Sequence, residues 1–416
     1  MRVSEVITSV LGEDLPLRVT AFDGSTAGPA DSATTLRVVR PEALHRIVTA
    51  RGQELGFARS IIAGDLEVEG DVFGLFEVTD RIRTPTLDRS MLRPLATVLG
   101  LESWSDVARL RPLPPPPEEI RLRGRLHSRG RDAAAISSHY DVSNDFYALV
   151  LGPTMTYSCA VFDSPTDSLV DAQTNKHELV CRKIGLQPGM RHLDIGCGWG
   201  SMVLHAARHH GVHSVGVTIS RQQAEWARKR VADAGLSDQI EIRVQDYRDI
   251  ADGPFDAISS IGMSEHVGGP EELAGYFAKV RSLLAADGRF LNHAIGRSAS
   301  FEPAGSNGFI QRYVFPDGEL HELGATITAL QSSGFEARHA ETFRLHYART
   351  LRAWVANLEA NWDAAVTEVG RGRVLVWWLY MAGSAVAFER GDVQLHQVLA
   401  VPDTARNDSQ PLRPDW

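Results

Sequence analysis

Residues 193–200, Leu-Asp-Ile-Gly-Cys-Gly-Trp-Gly, constrain the fold of this 416-residue chain more than any other segment. An apolar approach leads into Asp194, and three glycines follow at alternate positions, Gly196, Gly198 and Gly200. This pattern is typical of the first strand of a doubly wound sheet turning into its first helix, where glycine lets the backbone approach a ligand closely. The spacing Gly-x-Gly-x-Gly differs from the Gly-x-Gly-x-x-Gly of dinucleotide sites. With Asp194 before the first glycine, it indicates an S-adenosylmethionine site, and a plain tight turn is the alternative.

After residue 190 the chain alternates between strand-like and helix-like patterns. Such alternation predicts an α/β fold, a doubly wound, Rossmann-like parallel sheet that binds ligands at the C-terminal ends of its strands. The predicted strands are 192–195, 214–218, 240–244, 256–261 and 289–293. The predicted helices are 202–210, 222–234 and 272–286, the last ended by Gly288. A helical tail rich in large apolar residues runs from residue 343 to 378 and beyond.

Four consecutive prolines at 114–117 indicate a domain boundary, because such a run favours a stiff, extended spacer. Upstream, strand patterns at 17–22, 35–39 and 66–70 and a helix pattern at 41–50 predict a smaller N-terminal α+β domain over residues 1–110. We therefore predict a linker at 111–135, the α/β domain at 136–402 and a polar tail at 403–416.

The composition excludes several classes of protein. A net charge of −9 argues against a nucleic-acid-binding protein, which needs a basic surface. The three cysteines, Cys159, Cys181 and Cys197, form no disulfide framework and lack the spacing of a zinc site, so no metal is predicted. The N-terminus has no signal-peptide pattern, and no apolar run reaches about 18 residues. We expect a cytoplasmic protein whose contact with a membrane is peripheral.

Five arginines follow the prolines within residues 121–131, in an otherwise acidic protein: Arg121, Arg123, Arg125, Arg129 and Arg131. Each would contribute about 1 kcal/mol near an anionic lipid surface. The alternative is a solvated linker whose arginines pair with the protein's own acids. Both interpretations stay open on the sequence.

Polar residues after the second and third predicted strands are candidates for binding the nucleoside. The second strand carries no acid at its end, and Gln223, with Thr218 beneath it, would accept from the ribose hydroxyls instead. After the third strand, Asp246 suits the adenine amine and Tyr247 places a ring near the base. A turn-capping role is the alternative for Asp246.

Seven segments carry a more specific signal: 139–147, 155–160, 193–200, 216–220, 245–249, 262–268 and 313–318. Among them are His-Tyr-Asp-Val-Ser-Asn-Asp-Phe-Tyr, Tyr-Ser-Cys-Ala and Met-Ser-Glu-His-Val-Gly. Together they resemble the cyclopropane-fatty-acyl-phospholipid synthases and their mycolic-acid and branched-fatty-acid, tuberculostearic-type methyltransferase relatives. The resemblance covers nearly everything after residue 130. More weakly, the N-terminal domain resembles the lipid-handling domain of the phospholipid-acting members, which the mycolic-acid enzymes lack.

This resemblance implies a methyltransferase that uses S-adenosylmethionine and binds bicarbonate. Matched residue by residue, the implied bicarbonate site consists of Cys159, Glu265, His293, Ile295 and Tyr347. Singly, Cys159 also fits a small core residue, His293 a core histidine and Tyr347 a packed ring. The full set predicted for the cofactor is Tyr157, Ser158, Asp194, Gly196, Gly198, Gly200, Thr218, Gln223, Asp246 and Tyr247.

The implied reaction explains why such a site is needed. An alkene is a poor nucleophile, so the enzyme must hold it against the sulfonium methyl group. Methyl transfer leaves a carbocation in an apolar pocket, and a proton must then leave the new methyl group. Bicarbonate would accept that proton, and its charge would stabilise the cation together with nearby aromatic faces.

One departure from the family pattern concerns the product. Ser264 stands where family members commonly carry Phe or another large residue, next to Glu265, whereas His266 is expected to be structural. Ring closure would give a cyclopropane, and a hydride shift would give a methylene product that a reductase converts to a methyl branch. The Ser264 departure and the chain length favour the methylene or branched outcome.

The expected substrate is a phospholipid with an unsaturated acyl chain, met at the membrane surface. A partner reductase and a homodimer are compatible with this interpretation, and no nucleic-acid partner is expected. Two alternatives remain: a lipid-binding protein on an inactive methyltransferase scaffold, and a methyltransferase for a different small substrate.

Overall fold

The computed structural model describes residues 2–12, 14–50, 52–78, 96–101, 106, 110–122, 124, 128, 130–131, 143–301, 308–405 and 412–416. Residues 139–142 of the first family segment, and Arg123, Arg125 and Arg129, lie outside this description. Within it, no helix is both long enough and apolar enough to cross a lipid bilayer.

The described helices, in chain order, are α1 (Val3–Leu11), α2 (Glu42–Thr49), α3 (Gln53–Ile62), α4 (Asn144–Leu151), α5 (Leu169–Ile184), α6 (Ser201–His210), α7 (Arg221–Asp233), α8 (Pro270–Leu283), α9 (Phe309–Tyr313), α10 (Leu323–Ser332), α11 (Arg344–Ala360), α12 (Trp362–Val369) and α13 (Arg371–Arg390). Short 3-10 helices lie at Val72–Val78, Tyr247–Asp249 and Ser264–His266.

The described strands are β1 (Arg18–Ala21), β2 (Thr26–Ala27), β3 (Thr34–Val38), β4 (Leu66–Gly70), β5 (Arg191–Ile195), β6 (His213–Thr218), β7 (Ile240–Val244), β8 (Phe255–Ile261), β9 (Leu284–Arg297), β10 (Phe335–Thr342) and β11 (Val393–Pro402). They form a four-stranded sheet and a seven-stranded sheet.

Two compact units divide the chain. The first comprises Met1–Arg121, Pro303–Pro316 and Trp362–Val386, and the second comprises Leu122–Glu302, Asp317–Asn361 and Ala387–Trp416. The predicted domains follow sequence order, whereas the first unit also takes in two segments from the later part of the chain.

The first unit contains the small sheet, with strand order β2-β1-β3-β4. Val19 of β1 pairs with Leu36 of β3, and both side chains are fully buried. The segment Pro303–Pro316 is joined to the rest of this unit through Glu119. The Glu119 carboxylate accepts from Arg59 at 2.8 Å and from the Tyr313 hydroxyl at 3.2 Å. Pro114, predicted to lie in the linker, is held on the same unit because its carbonyl accepts from Arg46 at 2.6 Å.

The second unit contains the large sheet, with strand order β10-β11-β9-β8-β5-β6-β7. Strands β7, β6, β5, β8 and β9 are parallel, whereas β11 runs antiparallel to β9 and β10 antiparallel to β11. Strands β5 and β8 are almost wholly buried, as expected for parallel strands covered on both faces. The order reverses between β5 and β8, and the doubly wound α/β prediction is confirmed. Ligands bind beyond the strand C-termini at such a reversal.

Local signals set most helix boundaries in the second unit. The Ser168 hydroxyl accepts from the Asp171 N–H at the start of α5, and Gly185 ends that helix in the left-handed conformation. The predicted bounds of two neighbouring elements are wrong. Strand β9 runs from Leu284 to Arg297 instead of 289–293, so Gly288, predicted to end the helix, lies within this strand. Helix α8 ends at Leu283 rather than at residue 286, because Leu284 is extended, buried and paired with Phe255 of β8. Tertiary pairing here overrides the helical pattern.

Arg121 and Arg131 are the described arginines of the 121–131 run, and Arg131 forms an ion pair with Asp317. Its guanidinium binds the carboxylate of Asp317 through two hydrogen bonds of 2.5 and 2.8 Å. For this residue, the structure favours pairing with the protein's own acid over contact with a lipid headgroup.

Candidate functional site

A cavity opens in the second unit at the C-terminal ends of β5, β6 and β8, where the strand order reverses. Nine of the ten residues predicted for the cofactor line it: Tyr157, Ser158, Asp194, Gly196, Gly198, Thr218, Gln223, Asp246 and Tyr247. The structure thus brings together, in one cavity, residues from four separate parts of the sequence.

The glycines of the loop have different roles. Gly198 lines the cavity with a φ of +52°, and a Cβ built on it meets no atom within 4 Å, so the free space is that of the cavity itself. Gly200 does not line the cavity. It begins helix α6 with a φ of +82°, and a Cβ there would lie 3.1 Å from the Cβ of Ala227 on α7. Its role is therefore helix initiation and close packing.

Gln223 and Asp246, predicted to contact the nucleoside, are held by hydrogen bonds within the protein. The Thr218 hydroxyl donates to Gln223 Oε1 at 2.9 Å, which leaves the Nε2 amide of Gln223 as a donor. Gln223 thus presents a donor to the cavity, whereas the sequence analysis expected it to accept from the ribose hydroxyls. Asp246 accepts from the N–H of Arg248 at 2.9 Å and binds its guanidinium at 2.6 Å. Asp246 therefore caps the 3-10 helix and also lines the cavity.

Lys176 of α5 is a cavity residue that the sequence interpretation missed. It is 1% exposed, and burial lowers its pKa to about 8. Its Nζ donates to the Ser158 hydroxyl at 3.1 Å, while Gln173, one turn earlier, donates to the Ser158 carbonyl at 2.8 Å. The signal available in the sequence was their spacing: Gln173 and Lys176 occupy the same buried face of the helix as Val180.

Asp194 is the penultimate residue of strand β5 and lines this cavity. Burial raises its pKa to about 6, although the Ser259 hydroxyl donates to it at 2.6 Å and the charge of Lys176 stabilises its ionised form. The charge of Lys176 also acts on Cys159 and on His293, outside the predicted cofactor set. The charge of Lys176 therefore acts on residues of both predicted sets, the cofactor set and the bicarbonate set.

Glu265 and Ile295 of the predicted bicarbonate set are in direct contact. Glu265 lies in the 3-10 helix after β8, and its Oε1 accepts from the Ile295 N–H at 2.7 Å. Its Oε2 is buried and has no hydrogen-bond partner among the described residues. Burial raises the pKa of Glu265 to about 7. Because the Ile295 N–H is occupied, Ile295 positions Glu265.

His293 lies two residues before Ile295 on β9. Its Nε2 is also buried without a partner within the described part of the chain. Its Nδ1 lies 3.2 Å from Nε2 of Gln397 on β11, and Gln397 Oε1 accepts from Lys183 Nζ at 2.7 Å. Burial, reinforced by Lys176 and Lys183, lowers the pKa of His293 well below its ordinary value, so the ring is neutral.

Cys159 and Tyr347 both contact the carbonyl of Phe343, the residue that precedes helix α11. The Cys159 Sγ lies 3.8 Å from the carbonyl of Phe343, which accepts the N–H of Tyr347. The Phe343 N–H in turn donates to the carbonyl of Leu395, which pairs with Ile295 across β11 and β9. This chain of contacts places Cys159 and Tyr347 near the strand pair that carries Ile295. Burial raises the pKa of the Cys159 thiol, so it is not a nucleophile.

Aromatic rings connect the cofactor cavity to Tyr347. Tyr157, which lines the cavity, lies 5.3 Å from the ring of Trp354, and Trp354 lies 6.1 Å from Tyr347 in an edge-to-face arrangement. Such faces stabilise a nearby cation.

Of the two residues that flank Glu265, Ser264 is buried and His266 is partly buried. Ser264 is 4% exposed, and its hydroxyl accepts from Asn292 Nδ2 at 3.4 Å. His266 lines the cofactor cavity, and burial lowers its pKa to about 4, so it does not carry a charge at neutral pH.

Comparison with known proteins places this geometry in context. The family described as mycolic acid cyclopropane synthetase matches residues 127–398. A probable fatty acid methyltransferase of Mycobacterium tuberculosis is 48% identical over 96% of this chain and 95% of its own length. The tuberculostearic acid methyltransferase of the same organism is 33% identical over 92% and 87%, respectively. The crystal structure of the mycolic acid cyclopropane synthase CmaA1, complexed with SAH and CTAB, is similar with a TM-score of 0.61 and 32% identity, covering 64% of this chain and 97% of its own.

Proposed function

This chain belongs to the mycolic acid cyclopropane synthetase family, and from that premise we propose which lipid it modifies and how. It is an S-adenosylmethionine-dependent methyltransferase of the type that acts on fatty acids. We propose that it adds a C1 unit to the cis double bond of an unsaturated acyl chain carried by an intact phospholipid, through a carbocation.

One observation carries this proposal. Glu265 Oε2 and His293 Nε2 are buried polar atoms that lack partners among the described residues, and both belong to the set implied for bicarbonate. Leaving such atoms unpaired costs about 1–3 kcal/mol each, so an anion that hydrogen-bonds to both would relieve a real penalty. The residues present therefore fit bicarbonate, with Glu265 and His293 as its holders and Tyr347 and Cys159 nearby.

The chain's own residues then have separable tasks. We propose that the glycine loop and Asp194 orient the methyl donor, and that the row of rings Tyr157, Trp354 and Tyr347 stabilises a developing cation. When bound, S-adenosylmethionine would supply an electrophilic methyl group, and bicarbonate would supply an acceptor for the proton lost from the new methyl group. Glu265 and His293 hold that acceptor in place, and the buried charge of Lys176 favours an anion there.

The N-terminal unit supports an intact phospholipid as the substrate. The two fatty acid methyltransferases match more than nine-tenths of this chain, including that unit, whereas CmaA1 aligns over 97% of its own length but only 64% of this chain. A free acid would need no extra lipid-handling surface. Peripheral membrane association follows from a substrate that resides in a bilayer.

For the product, we propose a methylene-bearing chain that a separate reductase converts to a methyl branch. Ser264 is buried beside Glu265 and is smaller than the Phe that family members commonly carry there, and we propose that this smaller wall lengthens the lifetime of the cation and favours a hydride shift. Cyclopropane formation is the alternative, because both products share one cation and one base.

Label transfer tests the proposal against an inactive, lipid-binding scaffold. Cells expressing the protein are supplied with methionine carrying a labelled methyl group and with oleoyl phospholipids, and the methyl esters of their fatty acids are analysed by mass spectrometry. We expect label in the phospholipid acyl chains. Both products gain one CH2, and only the methylene product takes up hydrogen under mild hydrogenation. Label confined to nucleic acids or water-soluble metabolites, or no label at all, would refute the lipid assignment.

A further inference from the structure

Cys181, His205 and His210 form a compact group between helices α5 and α6 outside the cofactor cavity, and Glu178 contacts both histidines. Glu178 and Cys181 lie on α5, and His205 and His210 lie on α6. One ring nitrogen of each histidine and the Cys181 Sγ lie within 4.8 Å of one another. The spacing of the cysteines does not reveal this group, because only one of them takes part.

The geometry of the group matches the needs of a tetrahedral ion. Nε2 of His205 and Nε2 of His210 lie 3.1 and 3.0 Å from the same Glu178 oxygen, Oε2. Two ligands bound at 2.0–2.2 Å to tetrahedral zinc are about 3.3–3.6 Å apart, so the histidine–Glu178 distances need to widen by a few tenths of an ångström and Cys181 Sγ, within 4.8 Å of the ring nitrogens, needs to move closer. Imidazole, thiolate and carboxylate are the ligand types that zinc takes in proteins.

The burial of the group also suits a metal site. Cys181 lies in the apolar core, whereas the side chains of His205, His210 and Glu178 are 9%, 17% and 42% exposed. An ion therefore has an entry path on one side and an apolar wall on the other. Such a wall strengthens the attraction between the ion and its anionic ligands.

We propose that Glu178, Cys181, His205 and His210 form a zinc site that ties helix α5 to helix α6. On binding, the Cys181 thiol gives its proton to solvent, and each imidazole keeps its single proton on the nitrogen that does not face the ion. Helix α5 also carries Lys176, and α6 follows the glycine loop, so the ion would fix two helices that flank the cofactor cavity.

The test uses the full chain, freed of metal with a chelator and titrated with Zn²⁺ or Co²⁺. We expect one zinc per chain by elemental analysis, a rise in Tm with Zn²⁺, and a thiolate-to-cobalt charge-transfer band with Co²⁺. Cys181→Ser should abolish the band. His210→Gln, which alters a partly exposed side chain and spares the core, should weaken zinc binding on the order of 100-fold. His213→Gln, an exposed histidine outside the group, is the matched control and should bind as the wild type does.

Three results would each overturn the zinc site. The first is loss of zinc from the protein on buffer exchange after stoichiometric loading. The second is a cobalt spectrum without the thiolate band, and the third is equal zinc affinity of the wild type and His210→Gln. In any of these cases the His–Glu contacts are hydrogen bonds between helices and nothing more.

A second, independent observation concerns the proton on His293. Lys183 Nζ, when charged, can only donate, so the Gln397 atom that it contacts at 2.7 Å must be the carbonyl oxygen. The Gln397 amide NH2 then faces His293 Nδ1 at 3.2 Å and donates to it. Lys183 is held in turn by Glu341, and both Lys183 and Gln397 are fully buried.

We infer that Gln397 is a positioning residue that keeps the His293 proton on Nε2, so the ring presents an N–H donor to the proposed anion. The consequence for catalysis rests on the proposed function, but the tautomer does not. It is read from ¹⁵N NMR of the ligand-free protein labelled at histidine, with His293→Gln identifying the signal.

We expect the wild type to show a protonated Nε2 and a bare Nδ1. Gln397→Leu should give a mixture of tautomers. Gln397→Glu keeps the shape but accepts from the ring, so it should move the proton to Nδ1 and lower kcat with little change in KM for the methyl donor. A wild type protonated on Nδ1, or a Gln397→Glu spectrum like that of the wild type, would contradict the inference whatever the lipid assay gives.

Discussion

Glu265 Oε1 accepts the backbone N–H of Ile295 at 2.7 Å, while Oε2 of the same carboxyl group is buried without a partner among the described residues. A strand therefore fixes the direction of the carboxyl group, and its second oxygen stays available. The two residues are 30 positions apart in the sequence, and the pairing of β8 with β9 brings them together.

Glu265→Gln should lower methyl transfer by on the order of 100-fold or more, because the amide cannot replace a carboxyl group in a proton-accepting network. Affinity for S-adenosylhomocysteine, measured by calorimetry, should stay within a few-fold of the wild-type value. Glu271→Gln, an exposed carboxylate at the start of α8, is the matched control. Full activity of Glu265→Gln would mean that another residue holds the base.

The pH dependence of stability should reveal the raised pKa of Glu265. Burial raises this pKa from 4.5 to about 7, so the folded protein holds the proton more tightly than the unfolded chain does. The resulting stabilisation, about 3 kcal/mol for a shift of this size, is complete below pH 4.5 and is lost as the pH rises through about 7. The Tm of Glu265→Gln relative to the wild type should therefore increase from pH 5 to pH 8. A Tm difference that stays constant with pH would contradict the burial argument.

Gly198→Val should abolish cofactor binding, since its side chain would occupy the space that Gly198 leaves open in the cavity. The substitution also strains a backbone with positive φ. Gly235→Val controls for that strain, because Gly235 has a φ of +68° and open space around its Cβ, but lies outside the cavity lining. We expect both variants to lose stability and only Gly198→Val to lose binding of S-adenosylhomocysteine in a calorimetric titration.

Lys176→Met should weaken the response to bicarbonate, because it removes a buried charge that acts on both His293 and Asp194. We expect the bicarbonate concentration for half-maximal activity to rise roughly tenfold, which corresponds to about 1.4 kcal/mol. Lys279→Met, a partly buried lysine on α8 that donates to the Ile250 carbonyl, is the control. A normal bicarbonate response in Lys176→Met would exclude an electrostatic role for this lysine.

Ser264→Phe should shift the product toward the cyclopropane. If the cation forms beside Glu265 as proposed, the larger side chain would hold it closer to its base, so ring closure would compete better with the hydride shift. Mass spectrometry before and after mild hydrogenation gives the ratio of the two products. An unchanged ratio would show that Ser264 does not shape this part of the site.

The sequence by itself determined the α/β fold, the order of the five parallel strands β5 to β9 with helices α6, α7 and α8, and nine of the residues that line the cavity, but it did not reveal the antiparallel strands β10 and β11. It determined the fold, this order and the cavity residues because these features are local: the glycine loop, helix caps such as Ser168, and polar residues at strand ends each sit beside the element that positions them. The order of a parallel sheet then assembles those strand ends at one edge.

Tertiary structure alone decided the rest. The end of α8 at Leu283, the close packing of Gly200 against α7 and the buried charge of Lys176 depend on neighbours from other elements. The contact between Lys183 and Gln397 joins residues 214 positions apart. No local pattern encodes such contacts, because the burial that raises or lowers a pKa and the donor that selects a tautomer exist only once the sheet has formed.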